Sequence, residues 1–79
     1  MDRFTTMTTF VEVVKSASFT TAARTRGISR ALVSRQIADL EAHLGVNLLT
    51  RTTRSLKLTE AGREYYEFCS RILSDIGTV

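Results

Sequence analysis

Basic side chains concentrated in the middle of this 79-residue chain are the first candidates for chemistry with a partner. Between residues 24 and 57 they outnumber acidic side chains by seven to two, so this segment carries a formal +5 against +3 for the whole chain. The seven are Arg24, Arg26, Arg30, Arg35, Arg51, Arg54 and Lys57. Positive charge concentrated in this way favours a polyanionic partner, with nucleic acid as the leading candidate. A basic face that is merely solvated is the alternative that charge alone leaves open.

Groups that carry out catalysis or hold metals are scarce. Cys69 and His43 are each the only residue of their type, so no internal disulfide and no cysteine-based zinc site is expected. No serine has a histidine and acid partner at a recognisable spacing, and there is no glycine-rich phosphate loop. The sequence therefore predicts a protein that is not an enzyme and needs no cofactor or metal. No apolar run is long enough for a membrane span or a secretory signal, so a cytoplasmic location is expected.

Two consecutive helices are predicted to position the central arginines. The longer one begins after a Ser29 cap and ends at Gly45. Its buried stripe recurs at steps of four, three and four residues and consists of Val33, Ile37, Leu40 and Leu44. The shorter helix runs from a Ser18 cap to Gly27, which permits a sharp turn between the two. Together they form a helix-turn-helix pattern. The face opposite the stripe carries short or cationic groups, namely Arg30, Ala31, Ser34, Arg35 and Ala38.

The flanking segments predict a scaffold and a hairpin. Residues 1–17 form a first helix whose core stripe consists of Phe4, Met7, Val11 and Val14, widened by Phe10 and Val13. Residues 49–59 alternate polar and apolar side chains and are rich in threonine, which predicts two short strands about a turn near Thr53 and Arg54. The fold class is therefore mainly α: a winged helix-turn-helix with a three-helix core, a short β-hairpin wing and a long C-terminal linker helix.

The last helix opens at a Thr59 cap and is predicted to join two subunits. Residues 1–59 would be the DNA-binding domain, and residues 60–79 a linker and dimerisation helix of a longer protein. The seam repeats at steps of four, three and four residues and consists of Tyr65, Cys69, Ile72 and Ile76. A second stripe contains Tyr66 and Leu73. A wide core face is the alternative to a subunit interface for this much apolar surface.

The motifs closely resemble the N-terminal DNA-binding domain of LysR-type transcriptional regulators over essentially the whole chain. The most specific segments are Val33-Ser34-Arg35-Gln36-Ile37 and Leu58-Thr59-Glu60-Ala61-Gly62. The resemblance implies sequence-specific binding of double-stranded DNA, with the recognition helix in the major groove and the wing at the minor groove. It also implies homodimers or dimers of dimers on interrupted inverted repeats in a bacterial cytoplasm. A small-molecule effector would act through an absent C-terminal domain.

Matching positions imply which residues contact DNA. The predicted set is Thr20, Thr21, Ser29, Arg30, Ala31, Ser34, Arg35, Arg51, Thr52, Thr53 and Arg54. This chain has Arg30, Ala31 and Leu32 where the family commonly has proline or a small polar residue, then serine, then alanine. Ala31 can touch a thymine methyl and Arg30 can reach guanine or phosphate, so the base preference is left open. A winged-helix module that binds only protein is the alternative function.

Overall fold

The order of elements is the one that the sequence predicts. The computed structural model describes residues 2–51 and 55–77. Its elements are α1 Arg3–Ser16, α2 Phe19–Arg26, α3 Arg30–Leu44, β1 Leu49–Arg51, β2 Leu56–Leu58 and α4 Glu60–Asp75. The two strands pair antiparallel, with Leu49 opposite Leu58 and Arg51 opposite Leu56. The mainly helical winged helix-turn-helix is confirmed.

The predicted starts of α2, α3 and α4 and the predicted ends of α2 and α3 are confirmed by their caps. The last helix was predicted over residues 60–79, but it ends at Asp75, with Ile76 as its C-cap. The hydroxyls of Ser18, Ser29 and Thr59 each accept a hydrogen bond from a backbone N–H three residues further along. Gly27 and Gly45 end α2 and α3 in the left-handed region, with φ of 71° and 73°. A side chain disfavours that conformation, which explains why the turn between α2 and α3 falls at a glycine.

The core lies where α1, α2 and α3 meet, and α4 packs against α1. Phe10 is fully buried. The centroid of its ring lies 5.8 Å from the ring centroid of Tyr65 and 6.5 Å from that of Tyr66. The predicted stripe of α3 is buried at Val33, Ile37 and Leu40 and partly buried at Leu44. The prediction for Phe4 was wrong, because this side chain is 46% exposed. The buried stripe of α1 therefore begins one turn later, at Met7.

One buried polar contact ties the helices together in a way that apolar periodicity did not reveal. Thr9 and Gln36 are both buried, and the Thr9 hydroxyl donates to Oε1 of Gln36. Nε of Arg26 donates to the same hydroxyl at 3.3 Å. A buried polar group is costly unless it is hydrogen-bonded. The contact therefore favours one rotation of α3 against α1, which determines the side that α3 presents outward.

The wing is held by side chains at its base. Oε2 of Glu41 accepts hydrogen bonds from the backbone N–H groups of Leu48 and Leu49, at 2.7 and 3.2 Å. The Thr59 hydroxyl donates to the Asn47 carbonyl at 2.7 Å, and the Thr59 N–H donates to the Leu48 carbonyl at 3.0 Å. A hairpin of this length is not stable alone. These bonds therefore fix its position relative to α3 and α4.

Cys69 requires a correction to the predicted subunit seam. Its side chain is completely buried within the single chain, as is that of Leu73. Burial raises the pKa of the Cys69 thiol to about 11, and burial is also the main cause that raises the pKa of Tyr65 to about 12. A protonated thiol without exposed surface cannot contact a second subunit unless the core opens. Cys69 therefore belongs to the core of its own chain.

Candidate nucleic-acid interface

Three elements converge on one groove of about 320 Å³. The start of α2, the first turns of α3 and the end of the described wing strands farthest from their base all contribute to it. The lining residues are Ala17, Ser18, Phe19, Thr20, Arg30, Ser34, Arg51, Ser55 and Leu56. Two of these side chains are cationic, four carry hydroxyls, and none of the described lining residues is acidic. Such a surface favours an anion that accepts hydrogen bonds.

Two arginines from different elements share one aromatic ring in this groove. The guanidinium carbon of Arg51, in β1, lies 4.6 Å from the centroid of Phe19. The guanidinium carbon of Arg30, in the first turn of α3, lies 5.9 Å from the same centroid. Both distances lie within the range in which a cation is attracted to the face of an aromatic ring. Arg51 of the wing and Arg30 of the predicted recognition helix therefore lie on one side of the molecule.

The predicted contact face of α3 is accessible. Arg30, Ala31 and Arg35 are exposed, and Ser34 is half-buried at the edge of the groove. Ser29 is also exposed, but its oxygen accepts a hydrogen bond from the Leu32 N–H, so it stabilises the start of α3. Its hydroxyl hydrogen can still donate to a partner.

The remaining predicted residues separate into two groups. Thr20 and Thr21 are exposed in the first turn of α2, and Thr20 also lines the groove. Thr52, Thr53 and Arg54 lie outside the described residues, so a role for the tip of the wing stays a prediction. Across the predicted set, the structure brings Thr20, Arg30, Ser34 and Arg51 to one surface, with Ala31 and Arg35 adjoining it on the exposed side of α3.

Two contributors to this surface were not identified as such from the sequence. Phe19 is buried, as an apolar residue on the inner side of α2 would be, but its ring also contacts the cations. Glu41 had no predicted role, yet its carboxylate holds the strand that carries Arg51. Periodicity identifies a buried side chain, but it does not indicate which neighbours from distant segments that side chain meets.

Other classes of site find little support in the residues that the structure describes. No group of three or more His, Cys, Asp or Glu among residues 2–51 and 55–77 could hold a metal ion. Within the same ranges, no helix has the length and apolar character that crossing a membrane requires.

The comparison that decides the family covers most of the chain. Residues 4–63 match the model of bacterial regulatory helix-turn-helix proteins of the lysR family. This chain belongs to the LysR family. The match extends from the first turn of α1 through the helix-turn-helix and the wing to the first turn of α4.

Curated proteins and solved structures that are similar to this LysR-family chain agree with that assignment. A transcriptional repressor of Pseudomonas aeruginosa is 51% identical over 96% of the chain, and the activator AaeR of Escherichia coli is 46% identical over all of it. The chain spans about a quarter of the length of these curated relatives, at 24% and 26%. The DNA-binding domain of BenM, solved in complex with catB site 1 DNA, has a TM-score of 0.91 at 38% identity, over 98% of this chain and 84% of that one. The DNA-binding domain of CbnR, also solved in complex with DNA, has a TM-score of 0.89 at 36% identity, over 98% of this chain and 87% of that one.

Proposed function

We propose that this chain binds double-stranded DNA in a sequence-specific manner, as the DNA-binding part of a bacterial transcriptional regulator. The observation that carries the proposal is the groove in which Arg30 of α3 and Arg51 of the wing lie over one ring, with no acidic side chain among its described lining residues. Structural neighbours at TM-scores near 0.9 were solved with DNA, which supports the same partner. Regulation of transcription follows from family membership, and chemistry on a substrate forms no part of the proposal.

In the proposed complex, α3 enters the major groove and the wing lies at the minor groove. The exposed face of α3 offers Arg30, Ala31, Ser34 and Arg35 to base edges and phosphates. Arg51 is suited to phosphate or to a narrow minor groove, because guanidinium groups bind both. Thr20 and Thr21 lie at the start of α2, where a helix N-terminus favours a phosphate.

A titration with duplex DNA at two salt concentrations tests the proposed function. Displaced counterions supply much of the free energy of binding, so the logarithm of the association constant should fall with the logarithm of salt concentration, with a slope of about −0.9 per phosphate neutralised. The duplex would be one that the chain selects from random sequence. Association that does not depend on salt, or no association with any duplex, would favour a winged-helix module that binds protein.

Arg35 is proposed to contact base edges, because it is exposed on the face of α3 that adjoins the groove. Arg35→Ala should cost about 1–3 kcal/mol on the selected duplex and reduce discrimination at particular base pairs, because a bidentate contact to a base edge is lost. Competition between selected and random duplexes measures both effects. Arg63→Ala is the matched control, since Arg63 is exposed on α4 outside the groove lining and on the side of the helix away from Phe68 and Ile72. Equal losses on the two duplexes would assign Arg35 to a phosphate.

The regulator is further proposed to act as a dimer through the outward face of α4. Cys69 is excluded by burial, which leaves Tyr65, Ile72 and Ile76 of the predicted seam and adds Phe68. Phe68 and Ile76 are 47% and 56% exposed, and the rings of Tyr65 and Phe68 lie 5.7 Å apart. A two-fold dimer would present two copies of α3 to successive major grooves of an inverted repeat.

The whole regulator has further proposed features that lie beyond this chain. The curated relatives are about four times longer, so a small-molecule effector is proposed to act through a separate C-terminal domain joined by α4. Dimers of dimers and a cytoplasmic location at the nucleoid are proposed for the same whole protein.

A further inference from the structure

Phe19 lies at the point where α2, α3 and the wing meet. Its side chain is only 7% exposed, yet its ring is the surface over which two exposed arginines from other elements are held. Arg30 and Arg51 are 21 residues apart in the sequence. No ion pair is needed to bring their like charges to one place, because each is attracted to the π-electrons of the same ring.

A guanidinium group held over a ring keeps its hydrogen-bonding capacity. The group carries five N–H donors in a fixed plane, so contact with one aromatic face leaves most of them available. Ser18, Thr20, Ser34 and Ser55 also line this groove, so its remaining surface is largely made of hydroxyls. The ring therefore restricts where the arginines lie without satisfying the donors that an anion would use.

We infer that Phe19 is a positioning residue that holds Arg51, and more weakly Arg30, in a binding-ready arrangement before DNA arrives. The inference rests on the proposed DNA-binding function and deepens it. A long flexible side chain loses rotamer freedom when it is fixed at an interface. A ring that orders the side chain in the free protein removes part of that loss. Phe19 thus links the core of the helix-turn-helix to the affinity with which the wing binds DNA.

Phe19→Leu tests the inference because leucine keeps an apolar side chain and removes the ring. Affinity for the selected duplex should fall roughly two- to tenfold, the range expected when one or two side chains must be ordered on binding. Phe10→Leu is the matched control, since Phe10 is a fully buried phenylalanine that packs against Tyr65 and Tyr66. At a temperature at which circular dichroism shows both variants folded, Phe10→Leu should bind as the wild-type chain does. Equal losses for the two variants would overturn the inference.

A double-mutant cycle separates positioning from a general structural role. If Phe19 acts through Arg51, then Arg51→Ala should cost less affinity in the Phe19→Leu background than in the wild-type chain. If Phe19 only supports the fold, the two fold-changes should multiply. A multiplicative result would overturn the inference even if Phe19→Leu binds weakly.

Nuclear magnetic resonance of the free wild-type chain tests the contact without any variant. Nuclear Overhauser effects should join the Arg51 side chain to the Phe19 ring in the absence of DNA. This measurement tests the inference even if Phe19→Leu fails to fold, because absence of the Arg51–Phe19 contact in the wild-type chain overturns the inference. It also separates two failures: a wild-type chain that binds no duplex contradicts the proposed function, whereas a missing contact contradicts the role of Phe19.

Discussion

Gly62→Ala is expected to lower the free energy of unfolding by about 2–3 kcal/mol, the upper range for overpacking. A Cβ atom at this position would lie 2.0 Å from the Leu48 carbonyl oxygen and 3.1 Å from Cδ2 of Leu58. The Leu48 oxygen belongs to the backbone and accepts the Thr59 N–H, so it cannot move without disturbing the base of the wing. For a chain of this length the midpoint of thermal unfolding should fall by about 10–20 °C.

The sign of this effect is informative because helix propensity predicts the opposite. Alanine inside a helix is more favourable than glycine by roughly 0.5–1 kcal/mol, so a stabilised Gly62→Ala would contradict the close approach of α4 to Leu48. Arg63→Ala is the control, since its side chain is the exposed neighbour in the same turn and should change stability by less than about 0.5 kcal/mol. Thermal melts followed by circular dichroism compare the three chains.

Phe68→Asp is expected to weaken dimerisation by roughly a hundredfold or more. A carboxylate buried in an interface without a partner costs several kcal/mol, and a two-fold axis places two copies of the change in the same interface. Phe68 is the better position for this substitution than Ile72. Because Ile72 packs partly against the core, a charge at Ile72 would also weaken the fold. The variant should remain folded, sediment as a monomer and lose most of its affinity for an inverted repeat.

Ser74→Asp provides the matched control for this charge. Ser74 is exposed on α4 and lies on the opposite side of the helix from Tyr65 and Ile72 of the proposed dimer face, so its variant should sediment as the wild-type chain does. Analytical ultracentrifugation over a range of concentrations makes the comparison. If the wild-type chain stays monomeric at high concentration, or if Phe68→Asp dimerises normally, the proposed face of α4 is wrong for this chain.

Local patterns were enough to predict the framework. Ser18, Ser29 and Thr59 have side chains that cap helices, and Gly27 and Gly45 tolerate the left-handed region, so the starts of three helices and the ends of α2 and α3 follow from residue type. Alternation predicted the hairpin, whose strands begin and end inside residues 49–59. The arginines of α3 and the wing were predicted on one side because the order of elements brings those segments together.

Long-range contacts set the limit of the sequence predictions. Cys69 matched the spacing of a seam, but the same spacing also describes a helix face turned towards α1, and burial identifies it as core. Phe68 was missed although it lies three residues after Tyr65 and four before Ile72, on the side of the seam away from the second stripe. The close approach of Gly62 to Leu48 and the ring of Phe19 beneath Arg51 depend on how separate segments pack, which no single stretch of sequence encodes.

Methylation interference on the selected duplex tests most directly the claim that α3 and the wing read DNA together. Dimethyl sulfate modifies guanine N7 in the major groove and adenine N3 in the minor groove, so one experiment reports on both. Interference at guanine N7 should fall in two blocks one helical turn, about 34 Å, or a multiple of it apart, with adenine N3 interference beside each block. The Arg35→Ala and Arg51→Ala variants should lose the major-groove and the minor-groove signals, respectively. Interference spread evenly along the duplex, or confined to one groove, would contradict the proposed arrangement.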